Sequence, residues 1–143
     1  MKTALVLRWF LGLVFLAAGV LKLVHPGDFL AELVAYRLPL PEILFRLVAV
    51  CLPWLEILCG GFLLLDHWPE SVRPVVTVLC LVFVIMLGQA VVRGLDLSCG
   101  CFGGFGPAWL ERPDVGLVRA LLLLAASAWL ASVGVRAAGV SHQ

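Results

Sequence analysis

Two cysteines separated by one glycine, in Ser98-Cys99-Gly100-Cys101-Phe102-Gly103, are the residues of this chain best placed to do chemistry. Thiols this close can close a small-ring disulfide, and Gly100, with no Cβ, tolerates the bend. So short a loop removes little chain entropy, which makes the bond poor reinforcement for a fold. A strained disulfide is instead more oxidising and exchanges readily. Gly103, Gly104 and Gly106 leave room for a partner's sulfur to approach. The spacing therefore reads as a pair for thiol–disulfide exchange, a thiol–disulfide oxidoreductase if turnover is catalytic. Two other readings of the same residues stay open. One is a soft-metal or small-solute carrier, because thiolates capture Cu(I) or zinc. The other is a membrane assembly factor in which both thiols are idle. Two sulfurs supply half of a tetrahedral set and the connection holds no histidine, so no metal site is assigned.

Charged residues sit where apolar surroundings should exclude them. Glu56, in Pro53-Trp54-Leu55-Glu56, falls inside an apolar stretch, where a carboxylate costs about 2.5–3.5 kcal/mol at the bilayer centre. It needs a partner, and Arg8 on the neighbouring antiparallel helix is the expected one, as a clamp or a proton relay. Arg46, Gln89, Arg93 and Arg119 form a second group, in the helix halves nearest the cysteine connection. Gln89 and Arg93 share a face at i, i+4. Such cations would lower a thiol pKa from about 8.5, or hold an anionic or quinone head group. Quinone is accordingly the candidate electron acceptor. Cys51, Cys59 and Cys80 lie within apolar stretches, where cysteine behaves as a small hydrophobe. Cys51, in the half of its helix nearest the connection, is the candidate resolving thiol.

These residues must be positioned by membrane-spanning helices. Apolar stretches run from about Thr3 to Val24, Glu42 to Leu65, Arg73 to Arg93 and Asp114 to Arg136. Each approaches the roughly 20 residues that a span requires. His25-Pro26-Gly27 stops the first, the polar turn Asp66 to Glu70 follows the second, and Asp114 is the expected N-cap of the fourth. Ala17-Ala18-Gly19 resembles a signal cleavage site, but apolar residues continue beyond it and Arg8 interrupts it, so the helix is read as retained. Asp28 to Tyr36 is amphipathic and too short to cross, as expected of an interfacial segment. The tail from Ala137 to Gln143 is expected to fray. In the first span Arg8, Gly12, Phe15, Gly19 and Lys22 recur at intervals of four and three and share one stripe. Gly116, Ala120, Leu123, Ser127, Ala131 and Gly134 do the same in the fourth. Small residues on such stripes let helices pack closely in lipid.

Composition agrees with this plan. Of 143 residues, 63% are hydrophobic and 13% charged, and mean hydropathy is +1.12. Soluble domains average about 25% charged residues. Ten basic residues face nine acidic ones, a net charge of +1 that offers no excess for nucleic-acid phosphates. Five cysteines are too few for a disulfide scaffold. The expected fold is an all-α integral membrane protein: one domain over residues 1–143, a four-transmembrane-helix bundle with the cysteine loop between helices three and four.

A resemblance runs through these same residues. Arg8, Gly12, Gly19 and Lys22, then Pro53-Trp54-Leu55-Glu56 with Gly60-Gly61, then Arg93-Gly94 and Cys99-Gly100-Cys101-Phe102-Gly103 resemble the methylamine-utilisation MauE family. That family is similar to the wider DoxX-like group of four-span membrane proteins, and the likeness covers about residues 3–135. It implies maturation of periplasmic disulfide-bearing proteins with a thioredoxin-like, MauD-like partner, the client being the small subunit of methylamine dehydrogenase in the methylamine case. An oxidising compartment for the thiols puts Cys99 and Cys101 on the periplasmic side of the inner membrane. Both termini are then cytoplasmic. Charge is silent on this point: with Arg8, Arg46, Arg93 and Arg119 assigned to helices, Lys2, Arg73 and Arg136 face Lys22, Arg37 and Arg112, three against three.

Overall fold

Prolines open the helices of this chain. In a computed structural model that describes residues 2–95 and 112–140, with side chains through residue 133, the elements are α1 (Lys2–Val24), α2 (Pro26–Ala35), α3 (Glu42–Leu65), α4 (Pro69–Val92) and α5 (Pro113–Val140). Pro26, Pro69 and Pro113 occupy first-turn positions, where the missing N–H costs nothing and the fixed φ suits a helix. Among the described residues, α1, α3, α4 and α5 are long and apolar enough to cross a membrane. α2, with ten residues, is not.

The third span begins earlier than the residue pattern suggests. The polar turn was expected to reach Glu70, yet Pro69, Glu70 and Ser71 already belong to α4. An acidic residue in a first turn favours the helix dipole, so polarity there marks a helix start. The turn is confined to Asp66, His67 and Trp68. Asp66 ends α3 in the left-handed region (φ 54°), and its own N–H and that of His67 both donate to the Phe62 carbonyl. Asp114 lies within the first turn of α5 and not at its cap, and accepts a hydrogen bond from Arg112 Nε at 3.2 Å. Of the tail expected to fray, Ala137 to Val140 continue α5, and Ser141 to Gln143 lie outside the described residues.

α1 and α3 are antiparallel and nearly touch along their backbones. A Cβ on Gly60 would lie 2.7 Å from the Leu16 nitrogen and 2.8 Å from the Gly12 carbonyl oxygen. One on Gly19 would lie 2.7 Å from the Pro53 carbonyl oxygen. Only glycine permits this approach, which supplies dispersion contact that lipid cannot. α4 and α5 form a second antiparallel pair. The two pairs meet over Leu11, Phe15, Cys59, Leu63, Val76, Leu79, Cys80 and Leu130, while Tyr36, Leu87, Ala90 and Ala120 pack nearer the end where α2 lies. Between these two apolar clusters lies the buried charge.

Candidate functional site

Lys22 and Glu56 are each 1% exposed, and they hold one another. Lys22 Nζ donates to both Glu56 carboxylate oxygens, at 2.6 and 2.8 Å. Helix geometry explains why residues near the end of α1 and past the middle of α3 can meet. Side chains lean toward the N-terminus of their own helix. On antiparallel helices Lys22 and Glu56 therefore reach toward each other and meet near the level of Pro53. The ammonium also faces the rings of Phe29 and Phe83, with centroids at 5.2 and 5.1 Å. Such contacts favour a cation removed from water. α2 supplies Phe29, and so closes the bundle above the lysine.

The pair borders a cavity of about 50 Å³ lined also by Phe15, Cys80, Phe83, Arg119, Ala120 and Leu123. This is room for a few waters. Its walls come from both helix pairs: Lys22 and Glu56 from α1 and α3, Cys80 and Arg119 from α4 and α5. Arg119, half-buried, thus lines the same cavity as the ion pair. Cys80 sits next to Ser127, whose hydroxyl donates to the Leu124 carbonyl at 3.0 Å.

The expected Arg8–Glu56 clamp does not form. Arg8 lies near the opposite end of α1, where its Nη1 pairs with Asp66. Two turns or more separate Arg8 from the level of Glu56, so the shared stripe identified the right face but the wrong rung. Lys22 is the functional residue that sequence reasoning missed, since two residues from the end of an apolar stretch a lysine reads as a headgroup-level charge. The available signal was its place on the Arg8–Gly12–Phe15–Gly19 stripe, followed by Pro26 turning α2 back over it. Lys22 thereby leaves the tally of loop charges. By the same bounds Lys2, Arg73 and Arg136 lie within α1, α4 and α5 and leave it too, while Arg93, which caps α4 outside Pro69–Val92, joins Arg37 and Arg112.

The four residues expected to converge do so only partly. Arg93 Nη1 donates to the Tyr36 carbonyl at 3.1 Å, tying the end of α4 to the end of α2. Gln89 lies one turn earlier, with Nε2 shielded and without a hydrogen-bond partner among the described residues. Arg46 points away from the bundle and pairs with Glu42 at 2.7 Å on the surface of its own helix, both side chains more than half exposed. Cys51 is exposed on α3, whereas Cys59 and Cys80 are buried. Cys99 and Cys101 lie outside the described residues.

Comparison with known proteins now adds a family. A family model described as methylamine utilisation protein MauE matches residues 1–133. The chain is 32% identical over 134 residues to a methylamine utilization protein MauE of Methylophilus methylotrophus, covering 92% of this chain and 69% of that one. It is 35% identical over 97 residues to the protein of the same name from Paracoccus denitrificans, covering 67% of this chain and 52% of that one. No solved structure matches with comparable significance.

Proposed function

Because the chain belongs to the MauE family, whose members serve methylamine utilisation, we propose that it is a membrane thiol–disulfide exchange protein acting through Cys99 and Cys101. Its partner is a periplasmic thioredoxin-like domain of the MauD-like kind, and its clients are disulfide-bearing periplasmic proteins of the methylamine dehydrogenase type. In one exchange, Cys99 and Cys101 give two electrons and two protons to a partner disulfide. The partner becomes a dithiol and the pair a disulfide, through a mixed disulfide between the two proteins. The reverse exchange balances in the same way.

The observation that supports this reading is the antiparallel packing of α4 and α5. Val92 and Pro113 lie at one end of the bundle, so the connection bearing the pair starts and finishes on one rim. Arg93, held by the Tyr36 carbonyl, keeps a cation at the start of that connection. A fixed positive charge near a thiol favours the thiolate, the attacking form. Oxidising chemistry puts this rim on the periplasmic face of the inner membrane and the termini in the cytoplasm.

The test is trapping. Cys99→Ser and Cys101→Ser, expressed singly, are resolved without reductant. One of them is expected to accumulate a covalent adduct with a periplasmic protein, dissolved by dithiothreitol and absent from the double variant. If neither single variant forms an adduct and the double variant still supports full growth on methylamine, the reading is wrong.

A further inference from the structure

The end of the bundle away from the cysteine connection carries a second charge cluster, which the exchange reading does not use. Asp66, just past α3, stands between α1 and α4. Arg8 Nη1 pairs with Asp66 Oδ1, and Arg73 Nη2 lies 4.0 Å from the same oxygen. Both arginine side chains are largely buried, 14% and 20% exposed. The Nε of each is shielded from solvent and has no acceptor among the described residues. A buried donor without a partner is unfavourable, so both guanidiniums have capacity for more acceptors than one aspartate provides.

Lys2 lines the same cleft, an open hollow of about 740 Å³. Lys2, Arg8 and Arg73 against Asp66, three cations and one carboxylate, leave the lining at +2 among the described residues. The remaining wall is apolar, with Leu5, Trp129 and Val133. This combination separates two kinds of anion. A free inorganic anion would gain nothing from the apolar wall. A lipid would cover that wall with the first carbons of its acyl chains while its phosphate meets the guanidiniums. Depth is also right: Trp9, Trp68 and Trp129, each about half exposed or more, cluster at this end, as tryptophan does at the membrane–water interface.

We propose that this cleft binds the phosphate of an anionic phospholipid. Arg73 donates to the phosphodiester, Arg8 is shared between it and Asp66, and Lys2 contributes a looser charge from the first turn of α1. One phosphodiester lowers the lining from +2 to +1. Basic pockets between transmembrane helices recognise lipid head groups by this chemistry.

The experiment uses the full chain in neutral detergent, with native mass spectrometry counting retained phosphatidylglycerol and phosphatidylcholine of matched acyl chains. Arg8 is left intact because it holds Asp66. The wild type is expected to retain one phosphatidylglycerol in preference to phosphatidylcholine. Retention should weaken about fivefold in Lys2→Gln and again in Arg73→Gln, and Arg73→Lys should recover most of it. Millimolar inorganic phosphate should not displace the lipid. Equal retention of the two lipids, retention unchanged in both glutamine variants, or displacement by inorganic phosphate overturns the proposal. Lys2 is exposed, so its variant reports on binding even if Arg73→Gln folds poorly.

Discussion

Substituting Lys22 by methionine keeps the length of the stem but removes the charge, and with it the ammonium's contacts with the Phe29 and Phe83 rings. Glu56 would then remain 1% exposed without the donor that now reaches both its oxygens, at 2.6 and 2.8 Å. Removing one partner of a buried ion pair costs about 3–5 kcal/mol, roughly two to four decades in the folded-to-unfolded ratio. Removing both partners is different, because desolvation of the charges had offset most of their attraction. Lys22→Met/Glu56→Leu is therefore expected to be close to wild type or more stable. Arg46→Gln is the internal reference. It breaks a pair of the same length, 2.7 Å, whose side chains are 63% and 73% exposed. Exposed i, i+4 pairs contribute only about 0.3–0.5 kcal/mol. Reversible denaturation in mixed micelles, followed by tryptophan fluorescence or circular dichroism, gives these three values and that of Glu56→Leu on one scale. The reasoning is refuted if Lys22→Met costs no more than Arg46→Gln, or if the double variant loses the sum of its two single losses.

Further outcomes follow from the packing and from the placement of thiols. Gly60→Ala should cost about 1–3 kcal/mol by forcing α1 from α3, while Gly61→Ala, with open space around it, should be neutral or stabilising. Thermal unfolding of the two variants compares them directly, and equal midpoints would contradict the close approach. A lipid-soluble maleimide should label Cys51 in the folded protein but reach Cys59 and Cys80 only after denaturation, which peptide mapping can check. Arg93→Gln removes a cation near the cysteine connection and so disfavours thiolate. The pH midpoint for alkylation of Cys99 and Cys101 should move upward, by up to about one unit, and a downward or absent shift would dismiss Arg93 as a thiolate-stabilising charge.

Helix existence was legible because prolines, glycines and apolar length specify it locally. Pro26, Pro41 and Pro113 lie at helix starts, and the spans they delimit emerge within a few residues of expectation. What the residues do not reveal alone is which rung of one helix faces which rung of the next. That register is set by Gly12, Gly19 and Gly60, whose backbone approach fixes α1 against α3. It makes Lys22, and not Arg8, the partner of Glu56. Arg46 leaves the expected convergence for a related reason. A residue near the end of a span can turn outward to a neighbour on its own helix, as Arg46 does to Glu42. Whether it does so depends on rotation of the helix, which short stripes of polar residues constrain weakly.

Placing the ion pair at the seam between the two helix pairs has a consequence for any movement of the bundle. Glu56 and Lys22 belong to α3 and α1, which glycine packing holds together, so the pair itself moves as one body. The second half meets it through softer contacts, with Phe83 against the ammonium and Cys80 and Arg119 across a water-sized cavity. Separating α4–α5 from α1–α3 would thus expose a charge pair without breaking it. Water entering the cavity would satisfy the groups it uncovers. The rim above is joined in the same asymmetric way, since Arg93 of α4 is tied to Tyr36 at the end of α2. Displacing α4 would have to strain or release that bond at the start of the Cys99–Cys101 connection. The structure therefore links the start of that connection to the buried pair through α4, with Phe83, and through α2, with Phe29 and Tyr36. A variant that loosens α4 against the Lys22–Glu56 pair, such as Phe83→Ala, is expected to alter thiol alkylation at the rim while leaving the α1–α3 packing intact. Unchanged alkylation kinetics in Phe83→Ala would mean that the two sites are independent.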